Sequence, residues 1–275
     1  LTSELSADFE PFLPFGTKEG KGSKNVETKT IFKMFSLGVA TNRDSYVYSF
    51  NIGDLKKLVA MFTDIYNTTV DKLKRLGASS PNLIDVTDRR IKWTRQTKAS
   101  LNRFQYYKYD DEQIRVSLYR PFTKKHLYYD DFWNEEQYQT RRIFPTQDSE
   151  AENKVICVPA LGSKQIAFFM TCLIPDLNFF AGSTPIQCFP FYIYNEDGSN
   201  RRENNTDWAL VQFQTQYGDT DVSKLDIFHY IYAILHHPQY REKYAANLKR
   251  ELPRIPFAPD FWAFAKAGKA LADLH

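Results

Sequence analysis

Hydrophobic positions along the chain follow first a strand-like spacing and then a helical one. Phe35-Ser36-Leu37-Gly38-Val39-Ala40 is an apolar run, and Tyr46-Val47-Tyr48-Ser49-Phe50 is an aromatic run of the kind strands favour. Between them Thr41-Asn42-Arg43-Asp44-Ser45 is polar, and its Asn and Asp side chains suit a turn. The pattern predicts two strands joined by a tight connection with Arg43 and Asp44 at its tip. An arginine presented on such a loop suits recognition; the alternative is an Arg43–Asp44 pair that only orders the turn. From Asp54, the expected cap, Leu55, Leu58, Val59, Phe62, Ile65, Tyr66, Val70 and Leu73 recur at helical spacing up to Gly77.

Phe104 to Asp131 reads as strands broken at Asp110-Asp111 and around Pro121. Val155–Pro159, Ile166–Ile174 and Phe189–Tyr194 are further apolar, strand-like runs. They are separated by the polar loop Gly162-Ser163-Lys164-Gln165 and by the excursion Asn195–Asp207, which carries Arg201-Arg202. The C-terminal part is helical. One helix opens at Ser223 or Leu225 with Ile227, Phe228, Ile231, Ile234 and Leu235 inward, a second covers Tyr240–Leu252, and a third runs from near Pro259 to the end. The expected fold class is α+β, with central mixed or antiparallel strands, flanking helices and a helical C-terminal segment. Residues 1–34 are expected to be an incoming connector and basic loop, 35–222 the α+β core, and 223–275 a helical segment packed on it.

Charge changes this picture at one place. The net charge is only +3, so the molecule is not a polycation, and a nucleic-acid surface must be a local patch. The densest basic stretch is Asp88 to Arg103, where Arg89, Arg90, Lys92, Arg95, Lys98 and Arg103 face the single acid Asp88. Gln96, Asn102 and other polar residues are interspersed. Such a segment suits phosphate tracking, with amides able to read base edges; the alternative is a surface helix whose charges are merely solvated.

Catalytic chemistry is thin. The glycines and lysines of Gly16–Thr30 miss the phosphate-loop spacing, and Asp8 with Glu19-Gly20-Lys21 mimics a nuclease pattern too short to carry weight. No nucleophile elbow, dinucleotide glycine fingerprint or zinc-protease motif occurs, and His229 reads as a core residue. Cys157, Cys172 and Cys188 are widely spaced without a metal-ligand pattern, so buried reduced thiols are expected. With no signal peptide and no membrane-length apolar run, the expected compartment is the cytoplasm, and the sequons at Asn67 and Asn204 are chance matches. A start at Leu1 favours a fragment of a longer chain.

Three stretches together resemble one family. Gly38–Phe50 (GVATNRDSYVYSF) is similar to the GxxTxRDxxxYxF opening of the target-recognition region of Type ISP restriction–modification enzymes, although Asn42 stands where glycine is common. Tyr119–Asp130 (YRPFTKKHLYYD) resembles that region's YRPFDxRxxYYD element, and Asp226–Phe257 with Phe264–His275 resembles its closing helical segment. The resemblance implies a C-terminal specificity region that binds double-stranded DNA beside the methyltransferase domain of the same polypeptide. It implies no cofactor in this segment, and S-adenosylmethionine, ATP and magnesium used by the parent, a site-specific adenine methyltransferase with ATP-dependent endonuclease activity. The expected DNA contacts are Arg43, Arg89, Arg90, Lys92, Arg95, Lys98 and Arg103, followed by Lys164, Gln165, Arg201 and Arg202. The alternative is a coupling module within the parent that reads no bases; an independent small enzyme ranks below both.

Overall fold

A computed structural model describes residues 5–17, 29–77, 90–163, 166–180 and 184–275. In chain order its elements begin with β1 (Leu13–Pro14), β2 (Ser36–Leu37), α1 (Asp44–Val47), β3 (Tyr48–Ser49), α2 (Ile52–Arg75) and α3 (Arg95–Asn102). The middle holds β4 (Ile114–Arg120), β5 (Thr123–Tyr128), α4 (Gln147–Glu152), β6 (Val155–Pro159), β7 (Phe169–Thr171), β8 (Ile174–Pro175) and β9 (Ile186–Pro190). There follow β10 (Tyr192–Ile193), β11 (Arg202–Glu203), α5 (Asp207–Tyr217), α6 (Lys224–His236), α7 (Pro238–Lys243), α8 (Ala245–Arg250), β12 (Arg254–Ile255) and α9 (Phe261–Leu274). The fold is α+β, as the sequence pattern predicts. Among the described residues no helix is long and apolar enough to cross a membrane.

The chain divides into two compact units, the first made of Leu1–Gly38, Tyr138–Cys172 and Leu177–His275, the second of Val39–Gln137 and Leu173–Asp176. The expected boundaries at 34/35 and 222/223 both fall within the first unit. That unit is built on a sheet of order β2-β9-β6-β7, antiparallel throughout. Its central strands, VICVP and IQCFP, are buried almost end to end, which is why they read as continuous apolar runs and not as alternation. Phe189 of β9 anchors a ring cluster with Phe15 (4.6 Å) and Phe35 (4.8 Å, stacked). Helix α6 opens on a Ser223–Asp226 capping box and buries eight side chains against this core. It crosses α9 so closely that a Cβ at Gly268 would stand 1.8 Å from the His229 carbonyl oxygen. The expected helix over Tyr240–Leu252 is two short ones, because Tyr244 leaves helical geometry (φ −103°, ψ 17°). Its ring packs 5.1 Å from Phe9 and its hydroxyl donates to Asp8, contacts an unbroken helix does not supply.

The second unit carries a mixed sheet of order β3-β5-β4-β8, with β8 parallel to β4 and the other pairs antiparallel. Helix α2 packs Phe62 and Tyr66 towards Trp133, with ring centroids 6.5 and 6.4 Å apart respectively. Its cap is Asn51, whose side-chain oxygen accepts the Asp54 N–H (3.1 Å), so Asp54 lies in the first turn.

The opening hairpin is not formed. Ser36–Leu37 pairs with β9 in the first unit, and Tyr48–Ser49 pairs with β5 in the second. Between them the chain turns at Asn42 (φ +52°), a residue type that tolerates this backbone, and enters α1. The Thr41 hydroxyl bonds Asp44 and also accepts the Arg43 N–H, fixing a helix start where a hairpin tip was expected. The cysteines are also divided. Cys157 and Cys188 are buried and lie opposite each other in β6 and β9, whereas Cys172 is exposed in the bend after β7, against expectation. Burial, then the neighbouring Cys157, push the Cys188 thiol well above its ordinary pKa.

Candidate nucleic-acid interface

The basic stretch becomes a short amphipathic helix. Thr94 caps α3 in a capping box with Thr97, and Thr97, Ser100 and Leu101 face inward. Ile91 and Trp93 are buried ahead of it, with Trp93 5.9 Å from the Tyr66 ring, so the segment's aromatic residue is a packing anchor. That anchoring leaves Arg90, Arg95, Lys98, Asn102 and Arg103 exposed and Lys92 and Gln96 half-buried. Arg95 donates to Glu136 (3.0 Å) and lies 3.9 Å from Glu135, so part of its charge is already balanced. Lys98 and Arg103 have no such acidic neighbour among the described residues and form the outward cationic face with Arg90.

The remaining predicted contacts are scattered. Arg43 is 2% exposed, its guanidinium carbon 5.2 Å from the Trp133 ring centroid inside the second unit. That corrects its expected position on a loop tip: the arginine sits against an aromatic ring and does not face solvent. In the first unit, Arg201 is exposed, ion-paired with Glu152 and 4.9 Å from the Tyr192 ring. Arg202 lies half-buried in β11 opposite Ile193. Near it, burial and then the Arg202 charge depress the Arg142 pKa, marking a local concentration of guanidinium groups that charge patterning does not single out. Arg89, Lys164 and Gln165 lie outside the described residues.

A second exposed feature of the second unit is not among the expected contacts. Strands β4 and β5 are joined through Pro121 and Phe122, with Arg120 opposite Thr123. Phe122 has φ +61° and is 78% exposed, and Phe50 beside β5 is 72% exposed. The Lys125 ammonium stands 3.7 Å from the Tyr119 ring centroid and 4.9 Å from that of Phe50, and Lys124 is exposed. Arg120 is committed to Asp176 (2.7 Å), a nearly buried carboxylate. The sequence signal for this feature is the two-residue Pro-Phe connection, where turn chemistry ordinarily selects Gly or Asn. Among the described residues no group of three His, Cys, Asp or Glu side chains is placed to hold a metal ion.

A profile for the Type ISP C-terminal specificity domain matches residues 30–275. The chain belongs to this family. Three structures of larger proteins align over 99% of this Type ISP specificity domain. A cryoEM DrdV–DNA complex aligns with TM-score 0.89 and 40% identity over 26% of that chain. A nuclease-deletion mutant of the Type ISP restriction–modification enzyme LlaGI, in complex with a DNA substrate mimic, aligns at TM-score 0.82 and 27% identity over 24% of its chain. The ATP-dependent Type ISP restriction–modification enzyme LlaBIII, bound to DNA, gives 0.81 and 26% over 17%. The domain thus spans about a quarter or less of the length of these relatives. Comparison with curated proteins finds no match.

Proposed function

We propose that this specificity domain reads a target sequence on double-stranded DNA for a restriction–modification enzyme whose reactive parts lie elsewhere in the polypeptide. The observation that carries the reading is the alignment, at 40% identity over 99% of the chain, with part of a protein seen in complex with DNA. The exposed cationic face of α3 supports it. Arg90, Lys98 and Arg103 suit phosphate contacts, with Lys92 and Arg95 beside them and Gln96 and Asn102 available to base edges. Arg89, Lys164, Gln165, Arg201 and Arg202 remain candidates on the same charge argument, whereas the burial of Arg43 makes it a support of the fold around Trp133.

In this reading the parent joins the domain to an adenine methyltransferase and an ATP-dependent nuclease, and S-adenosylmethionine, ATP and magnesium are used there. The test is an anisotropy titration against duplex DNA at several salt concentrations. Every phosphate that is no longer neutralised flattens the log–log salt slope by about 0.9, so neutralising Arg90, Lys98 and Arg103 together is expected to flatten it by about 2.7. An unchanged slope in the triple variant would remove α3 from the interface. No binding at low salt would favour the coupling-module reading.

A further inference from the structure

Four backbone segments of the first unit lie side by side. Phe32 bridges Asn205, and the Lys33 N–H donates to the Asn204 carbonyl (2.9 Å). Strand β11 pairs with β10, which places Arg202 opposite Ile193. Just beyond, the Tyr194 N–H donates to the Arg142 carbonyl (2.9 Å). Lys33, Arg142 and Arg202, far apart in sequence, are thereby gathered into a row. The Lys33 ammonium reaches onto β11 and donates to the Glu203 backbone carbonyl (3.3 Å). The carboxylates nearby do not balance the row. Lys224 already holds Glu203 (3.6 Å) and Asp207, and Glu196 attracts Arg142 without forming an ion pair with it. Arg142 meets the neutral Gln139 amide oxygen (3.5 Å), and the Arg202 Nε is buried with no hydrogen-bond partner among the described residues. The crowding is felt: burial, then Arg202, lower the Arg142 pKa, and burial, then Lys224, lower that of Lys33, with Arg202 contributing.

Packing supplies no reason for this arrangement. Partly buried like charges lose hydration and repel one another, so neutral side chains would serve the fold as well or better. A cost of that kind marks function more than architecture. Two guanidinium forks and an ammonium spread over four segments, roughly 14 Å at a strand spacing of about 4.8 Å, match a string of phosphates better than one small anion. We propose that Lys33, Arg142 and Arg202 form a phosphate-binding row on the first unit that grips the DNA backbone separately from α3. This deepens the DNA-recognition reading and rests on it. Helix α3 belongs to the second unit, so each compact unit carries its own backbone contact. Phosphate contacts set register without reading sequence, so the row positions the duplex that the amides of α3 read.

The test measures DNA binding and local stability on the same variants of the intact protein. In anisotropy titrations at several salt concentrations, Arg142→Gln with Arg202→Gln is expected to flatten the log–log salt slope by about 1.8, and adding Lys33→Gln by about 2.7 in all. Arg142→Lys with Arg202→Lys keeps the charges and is expected to keep the slope. Combined with neutral α3 side chains the losses are expected to add, because the two sets lie in different units. Amide exchange in β10 and β11 is expected to be no faster in the glutamine variants than in the wild type, since they relieve repulsion. Faster exchange there assigns the arginines to the fold and overturns the row. An unchanged slope in the triple variant overturns it as a DNA contact and leaves DNA recognition through α3 standing. Failure of the wild type to bind duplex DNA at low salt overturns both.

Discussion

Gly268 is the residue that lets α9 approach the α6 backbone at His229. Alanine ordinarily suits a helix interior better than glycine by about 1 kcal/mol. Here its Cβ would overlap the His229 carbonyl oxygen, backbone that moves only if α6 and α9 separate. Overlap of this kind costs more than the propensity gain, so Gly268→Ala is expected to lower stability by about 2–3 kcal/mol, read as a lower urea midpoint at unchanged slope. His229 itself is 4% exposed, and its Nε2 has no hydrogen-bond partner among the described residues. Burial, then Lys154, depress its pKa to about 4. The folded state therefore holds the ring neutral, while the unfolded chain takes up a proton near pH 6.5. Stability is intact above that pH and falls as the pH drops from about 6.5 towards 4, by on the order of 3 kcal/mol. His229→Gln is expected to flatten this part of the stability–pH curve, measured by denaturant unfolding at stepped pH.

At the scale of elements, α2 tests how well local rules hold. Asn51→Ala removes the acceptor for the Asp54 N–H and is expected to cost about 1 kcal/mol, seen in the same unfolding assay; Asp54→Ala, which leaves that cap in place, is expected to cost less. Helices α2, α6 and α9 are legible in the sequence because each presents an apolar face at helical spacing between recognisable caps. Strands β4, β5 and β6 are legible as apolar runs ended by turn residues. What local reading misses has one physical source: partners distant in sequence. The stretch Phe35–Phe50 has the pattern of a hairpin, but its two halves pair with β9 and β5 and not with each other. Tyr244 breaks a helix for the sake of Phe9 and Asp8, more than 230 positions earlier. At the candidate interface, the basic character of residues 88–103 is visible in the sequence, but the burial of Trp93 and Arg43 is not. Charge patterning cannot say which cation faces an aromatic ring indoors and which faces solvent. Phe122 escapes notice for the converse reason, since an aromatic next to a strand reads as core.

At the scale of the whole molecule, the described ion pairs of the two units lie mostly at the surface, where isolated pairs contribute little. Arg120 with Asp176 is the exception worth testing, because the carboxylate is only 4% exposed and joins two segments remote in sequence. Arg120→Met removes a cation paired with a nearly buried carboxylate and is expected to destabilise the second unit by about 2 kcal/mol, visible as earlier amide exchange in β4 and β8. The connectivity that makes this pair possible has a practical side. The second unit is contributed by residues 39–137 and then by four more, 173–176, which supply the parallel edge strand. A specificity cassette cut from a relative at 39 and 137 alone would arrive without its own fourth strand and would have to accept a foreign one. Chimaeras carrying both segments should melt in one cooperative transition, and those carrying only the long one should not.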